Sequence, residues 1–175
     1  MNTTLKKIYL STFINSFGSW LTFLAIALLV KEKYGGQQVV WVFLVQTLPA
    51  ILFSRSLAQL IPENQQERYY WVSQVLLALN CLVLCLVQSL PVLYIHLFIA
   101  AFLKSASTPL FNTLVGRWTP TNKVNEVFTK IGSIQTATLA LAPIAGAWIK
   151  IISSSELLFF IDAISFIISI VILKE

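Results

Sequence analysis

Six long apolar blocks follow one another along the 175-residue chain, divided by short polar, proline- or glycine-bearing stretches. Each is close to the roughly 20 residues that a helix needs to cross a bilayer. They cover residues 8–30, 39–61, 70–90, 92–115, 127–152 and 157–173. Lys31-Glu32-Lys33 with Gly35-Gly36 ends the first block, and Pro62 with the polar run 63–68 ends the second. Pro91 ends the third, Gly116-Arg117 the fourth and Ser153-Ser154-Ser155 the fifth. Such residues are the ordinary punctuation of helix ends. The pattern predicts an all-α membrane protein, with residues 1–175 forming a single six-helix transmembrane bundle.

Almost nothing separates the third and fourth blocks, so Gln88 to Pro91 is expected to form a tight hairpin. The fifth carries Thr129, Lys130, Ser133, Gln135, Thr136 and Thr138. Its lipid-facing stripe must be narrow, which predicts a helix inside the bundle. Pro49 in the second block and Pro143 in the fifth suggest a three-plus-three repeat, an arrangement used by transporters. Membrane helices tolerate proline, so the two residues alone carry little weight.

Composition narrows the function. Hydrophobic residues make up 57% of the chain and charged residues 11%, with a mean hydropathy of +0.80. A soluble domain is about one quarter charged, and one this small has too much surface to hide such an apolar excess. The lipid bilayer is therefore the expected surrounding. The net charge of +5 comes from scattered residues with no basic helix face, so nucleic acid is not an expected partner. With the N-terminus inside, Lys6, Lys7, Arg55, Arg68, Arg117, Lys123, Lys130 and Lys174 fall on the cytoplasmic side. Lys31, Lys33 and Lys150 fall outside, a bias that favours both termini in the cytoplasm of a plasma (inner) membrane protein. Trp41, Tyr69, Tyr70, Trp71, Tyr94, Trp118 and Trp148 lie near block ends, where an aromatic belt belongs. The first apolar run is too long for a signal peptide and lacks a small-residue cleavage site. Cys81 and Cys85, four apart in an apolar block, read as buried thiols; neither a disulfide framework nor a metal site is expected, and no cofactor.

Candidate chemistry is sparse. Lys104 lies about 18 Å of helical rise from Val92, near the middle of the fourth block. A lysine there costs a few kcal/mol or more and usually faces a cavity or a partner. Thr108 and Asn112 follow on the same face. The three read as a cavity-lining stripe, against a snorkelling or carbonyl-bound lysine. Ser11, Asn15, Ser19 and Thr22 form a stripe on the first block, either as packing glue between helices or as part of a solute path. Asp162 is the one carboxylate inside a block, with Ser165 and Ser169 on its face. It reads as a structural anchor or a proton-coupling group, about 10 Å from Lys104 in depth, too far for a direct ion pair. No Ser-His-Asp set, metal-spaced cluster or phosphate-binding glycine loop is present, so an enzyme is not expected.

Three segments carry a resemblance. Asp162-Ala163-Ile164-Ser165-Phe166 resembles the sixth helix of the macrolide-efflux-like branch of the major facilitator superfamily. Gly18-Ser19-Trp20-Leu21-Thr22 resembles that branch's first helix, usually Gly-Asp-Trp-Leu-Thr. Ala142-Pro143-Ile144-Ala145-Gly146-Ala147 is similar to its fifth-helix Gly-Pro-x-x-Gly-Gly motif. The likeness runs in register over nearly the whole chain, as an N-terminal six-helix half. Ser19 stands where the family has aspartate. Between the second and third blocks, Pro62 and Glu63 replace the Asp-Arg of a loop whose charged contacts latch conformations, and Leu110-Phe111 replaces an arginine expected after Pro109.

The resemblance implies an efflux permease for small amphipathic solutes, working by alternating access between two six-helix halves. Asn15, Ser19, Thr22, Lys104, Thr108 and Asn112 are the candidate cavity residues, Asp162 the candidate for proton coupling, and Pro49, Pro143 and Gly146 the candidate hinges. The chain is then a fragment, a truncated product or a half that pairs with a second half or another copy. The alternative is a non-transporting protein, either a degenerate half-carrier or an assembly subunit.

Overall fold

A computed structural model describes residues 3–174, without the side chains of 54–59 and 151–152; the expected role of Arg55 therefore lies outside the described residues. Six long helices follow in order: α1 (Thr3–Tyr34), α2 (Gly36–Gln59), α3 (Gln66–Leu86), α4 (Leu90–Trp118), α5 (Val124–Ile152) and α6 (Ser155–Lys174). Between α1 and α2 only Gly35 leaves the helix, at φ 90°, a backbone conformation that glycine adopts without strain. Short 3₁₀ turns at Glu63–Gln65 and Thr121–Lys123, each led by a proline, connect α2 to α3 and α4 to α5.

The tight connection expected at Gln88–Pro91 is present, with its bounds shifted by one or two residues. The linker is residues 87–89, and Pro91 already sits in the first turn of α4. There its missing N–H breaks no helical hydrogen bond.

Neighbours in sequence are not the main neighbours in space. α1 packs on α6 and α5, α4 packs on α3 and α2, and α3 packs on α6. Exchanging α1 with α4, α2 with α5 and α3 with α6 leaves this set of pairings unchanged. That relation is what a three-plus-three repeat produces. Glycine allows the closest approaches. A Cβ on Gly18 would lie 2.7 Å from an Asp162 carboxylate oxygen, and one on Gly146 would lie 3.0 Å from Leu24.

The largest apolar cluster joins Leu21, Ile26 and Val30 of α1 with Val42, Leu84, Leu93, Ala142, Leu158 and Phe159. It fills the end of the bundle that carries the α1–α2, α3–α4 and α5–α6 connections. Three polar ties reinforce that end. Lys150 pairs with Glu32 at 2.6 Å, Gln88 donates to Glu156 at 2.6 Å, and the Tyr94 hydroxyl donates to Gln38 at 2.9 Å.

Among the described residues, α1, α3, α4, α6 and residues 36–53 of α2 are long and apolar enough to cross a membrane. Helix α5 lies at the edge of the bundle rather than inside it, with most of its residues exposed. Leu141, Ile144 and Trp148 are exposed on one face. Its hydroxyls do not need a bundle interior, because they bond to their own helix. Thr129, Ser133 and Thr136 donate to the carbonyls of Asn125, Thr129 and Gly132 at 2.8, 3.0 and 3.0 Å. Tyr70 also departs from expectation. It is 3% exposed and stacks on Phe111 at 5.6 Å, so it belongs to the core and not to an interfacial belt.

Candidate solute cavity

Helical spacing of four residues puts Lys104, Thr108 and Asn112 on one face of α4, and that face lines a cavity. The cavity has two halves, of about 510 and 560 Å³. Both are lined by Ser19, Gln46, Leu77, Lys104, Thr108, Asn112 and Phe166, so these residues form the junction. The first half continues past Thr22, Cys81, His96 and Asp162 among apolar residues such as Phe23, Leu97 and Ala101. The second continues past Asn15, Gln74, Ser107, Gln135 and Thr136. It extends toward the end of the bundle where α1 begins and α6 ends.

At the junction, the Lys104 ammonium lies over the Phe166 ring, 5.8 Å from its centre. Among the described residues no carboxylate comes within 4 Å of it. Asp162 lines the same cavity half but is only 2% exposed. Ser165 donates to one carboxylate oxygen at 3.2 Å and the Cys81 thiol to the other at 3.4 Å. The absence of an ion pair agrees with the sequence. The offset of about 10 Å in depth expected between Asp162 and Lys104 does not, since Asp162 faces Gly18 at the middle of α1. Phe166, under Lys104, is one helical turn further along α6, about 6 Å by helical rise. Gly18, lacking a Cβ, lets α1 close over the carboxylate.

The polar stripe of α1 divides between the two roles open to it. The Ser11 hydroxyl bonds to the Ser169 hydroxyl at 2.5 Å and joins α1 to α6. Asn15 donates to Gln74 at 2.9 Å, joining α1 to α3 within the second half. The Ser19 hydroxyl is buried with no partner. The Thr22 hydroxyl, beside the Asp162 carboxyl, is likewise buried with no hydrogen-bond partner.

Of the candidate hinges, Pro49 is buried in α2 beside the cavity residue Ala50, Pro143 is half-buried, and Gly146 is buried against Leu21 and Leu24 of α1. Gln46, Gln74 and His96 line the cavity without having been marked by any sequence pattern, and Phe166, marked only as part of the sixth-helix motif, joins them. Each is a single residue in an apolar run. His96 is held by the Asn80 carbonyl at 3.1 Å. No group of three or more metal-binding side chains occurs among the described residues.

An apolar helical bundle with a pseudo-repeat and a central half-polar cavity is the form of a membrane carrier. The family profile described as Major Facilitator Superfamily matches residues 8–174. The chain belongs to the major facilitator superfamily. It is an integral membrane protein of a transporter family, not of an enzyme family. No curated protein matches it.

In the loop between α2 and α3, Glu63 pairs with Arg117 at the end of α4 at 3.5 Å. Both side chains are substantially exposed, so the pair contributes little to stability.

Proposed function

We propose that the protein is a solute carrier of the macrolide-efflux-like branch. It would export small amphipathic solutes by alternating access, with Lys104, Thr108 and Asn112 of α4 and Asn15, Ser19 and Thr22 of α1 contacting the solute. The observation that carries this reading is the convergence of both stripes on one cavity, whose junction contains Lys104 without an ionic partner. An intramembrane lysine is costly unless it faces a water-filled cavity or a ligand. The cavity is bounded by the large apolar cluster and the polar ties at the opposite end, and it extends toward the termini. With both termini in the cytoplasm, as the basic residues favour, the cavity faces the cytoplasm, the side from which an exporter loads.

Asp162 is the proposed coupling carboxylate, and Pro49, Pro143 and Gly146 are the proposed points of helix adjustment. A second six-helix half, or a second copy, would complete the cavity. Helix α2 presents Trp41, Phe43, Leu48 and Ile51 as exposed apolar side chains along its length, where lipid or a second half can pack.

The test is retention of fluorescent amphipathic dyes by cells. Cells producing the protein should retain less dye than cells producing a Lys104→Ala variant at equal membrane abundance. Equal retention across a chemically varied panel would remove the transport reading and favour a non-transporting membrane subunit.

A further inference from the structure

The polar residues at the cavity junction share one property: each can donate a hydrogen bond, and none is negatively charged. They are Ser19 of α1, Gln46 of α2, and Lys104, Thr108 and Asn112 of α4. None of the five side chains makes a hydrogen bond with another described side chain or carbonyl. Two of the polar pairs nearby are already engaged. Asn15 and Gln74 are joined to each other, and Asp162 is held in the wall by Ser165 and Cys81.

A cation in a partly desolvated site with four neutral donors around it and no counter-ion within 4 Å is incomplete. We infer that this junction is an anion subsite, which binds the carboxylate head of an amphipathic monoanion while its apolar body occupies the half lined by Phe23, Leu97 and Ala101. The inference rests on the carrier reading above and names its substrate class.

Two features fix the polarity of the choice. Lys104 lines both halves of the cavity, whereas Asp162 lines only one and is almost wholly buried, so an entering solute meets the cation first. The Phe166 ring, with its negative face, steadies the ammonium but leaves its donors unused. A cationic solute would face the ammonium across the junction, with the one carboxylate of that half, Asp162, almost wholly buried and already bonded to Ser165 and Cys81. A carboxylate gains a charge-assisted bond and up to four neutral ones.

The experiment is a binding titration on the purified full chain in nanodiscs. The probes are naphthylacetate, its primary amide and naphthylethylammonium, which share one apolar body and differ in head charge. The carboxylate is expected to bind about tenfold to a hundredfold tighter than the other two, the range for a charge-assisted hydrogen bond. Lys104→Gln should bring it down to the level of the amide, and Lys104→Arg should keep the preference. Equal binding of all three, tighter binding of the ammonium, a preference that survives Lys104→Gln, or no binding of any probe overturns the inference. Flux of any solute through reconstituted protein alongside those outcomes keeps the carrier reading and rejects the anion subsite. A Lys104-dependent carboxylate preference without flux of any solute does the reverse.

Discussion

The ammonium of Lys104 lies 5.8 Å from the centre of the Phe166 ring, and the nearby Asp162 carboxyl is bonded elsewhere. The charge of α4 is thus met by an aromatic face of α6 rather than by an ion pair. Such a contact is worth about 0.5–2 kcal/mol, more when it is desolvated. A double-mutant cycle isolates it. Phe166→Leu should destabilise the protein, as substitution of a buried aromatic does, and its cost should shrink by about 1 kcal/mol when Lys104 is already methionine. Identical costs in the two backgrounds would show that ring and ammonium are not coupled.

Gly18 is where α1 can least accept a side chain. A Cβ there would meet Asp162 at 2.7 Å, whereas one on Gly116 meets nothing within 4 Å. Gly18→Ala is expected to cost about 1–3 kcal/mol by overpacking. Gly116→Ala should be neutral or stabilising by up to about 1 kcal/mol, because alanine is the better helix former. Thermal unfolding in one detergent compares them, and an unaffected Gly18→Ala would mean that α1 does not close over Asp162.

Asp162 separates two roles when its charge is removed with its shape kept. Asp162→Asn retains an acceptor for Ser165 and should fold with a modest loss of stability. Asp162→Ala leaves Cys81 and Ser165 without that partner and should cost about 1–3 kcal/mol more. If Asp162 couples transport to protons, the Asn variant exchanges solute normally but no longer responds to a pH gradient. Gradient-driven accumulation at the wild-type level in that variant would leave Asp162 a purely structural anchor.

The Glu32–Lys150 pair joins α1 to α5 at 2.6 Å, with the Lys150 side chain 20% and the Glu32 side chain 61% exposed. Pairs in such positions contribute about 0.2–1 kcal/mol and are screened by salt. Glu32→Gln should therefore lower the melting temperature slightly at low ionic strength and less at high. A loss of several kcal/mol, or one independent of salt, would show that the pair has a larger role than its exposure indicates.

The helices were legible because lipid imposes long apolar blocks, and the lysine stripe because a spacing of four puts residues on one face. What escaped the sequence was set by contacts between helices. Gln46 has no polar partner of helical spacing, so nothing along α2 marks it as a junction residue, and Phe166 is an apolar residue among apolar residues whose place under Lys104 only the packing of α6 on α4 reveals. The depth of Asp162 depends on how closely α1 approaches, which Gly18 permits but does not announce. Helix α5 lies at the edge because its hydroxyls need no neighbours: Thr129, Ser133, Thr136 and Thr138 all bond back to their own helix. The loop after α2 lacks the family's Asp-Arg pattern, and the contact between Glu63 and Arg117 becomes visible only once α4 is in place.

The central claim is that the cavity around Lys104 carries solute across the membrane. Counterflow in proteoliposomes tests it most directly, comparing the wild type with Lys104→Ala, both verified as folded. An amphipathic carboxylate preloaded inside should drive transient accumulation of its labelled counterpart in wild-type vesicles. The alanine variant should be slower by about tenfold or more, the cost of losing one charge-assisted contact. Equal counterflow in the two, or none above protein-free vesicles in either, would contradict the account.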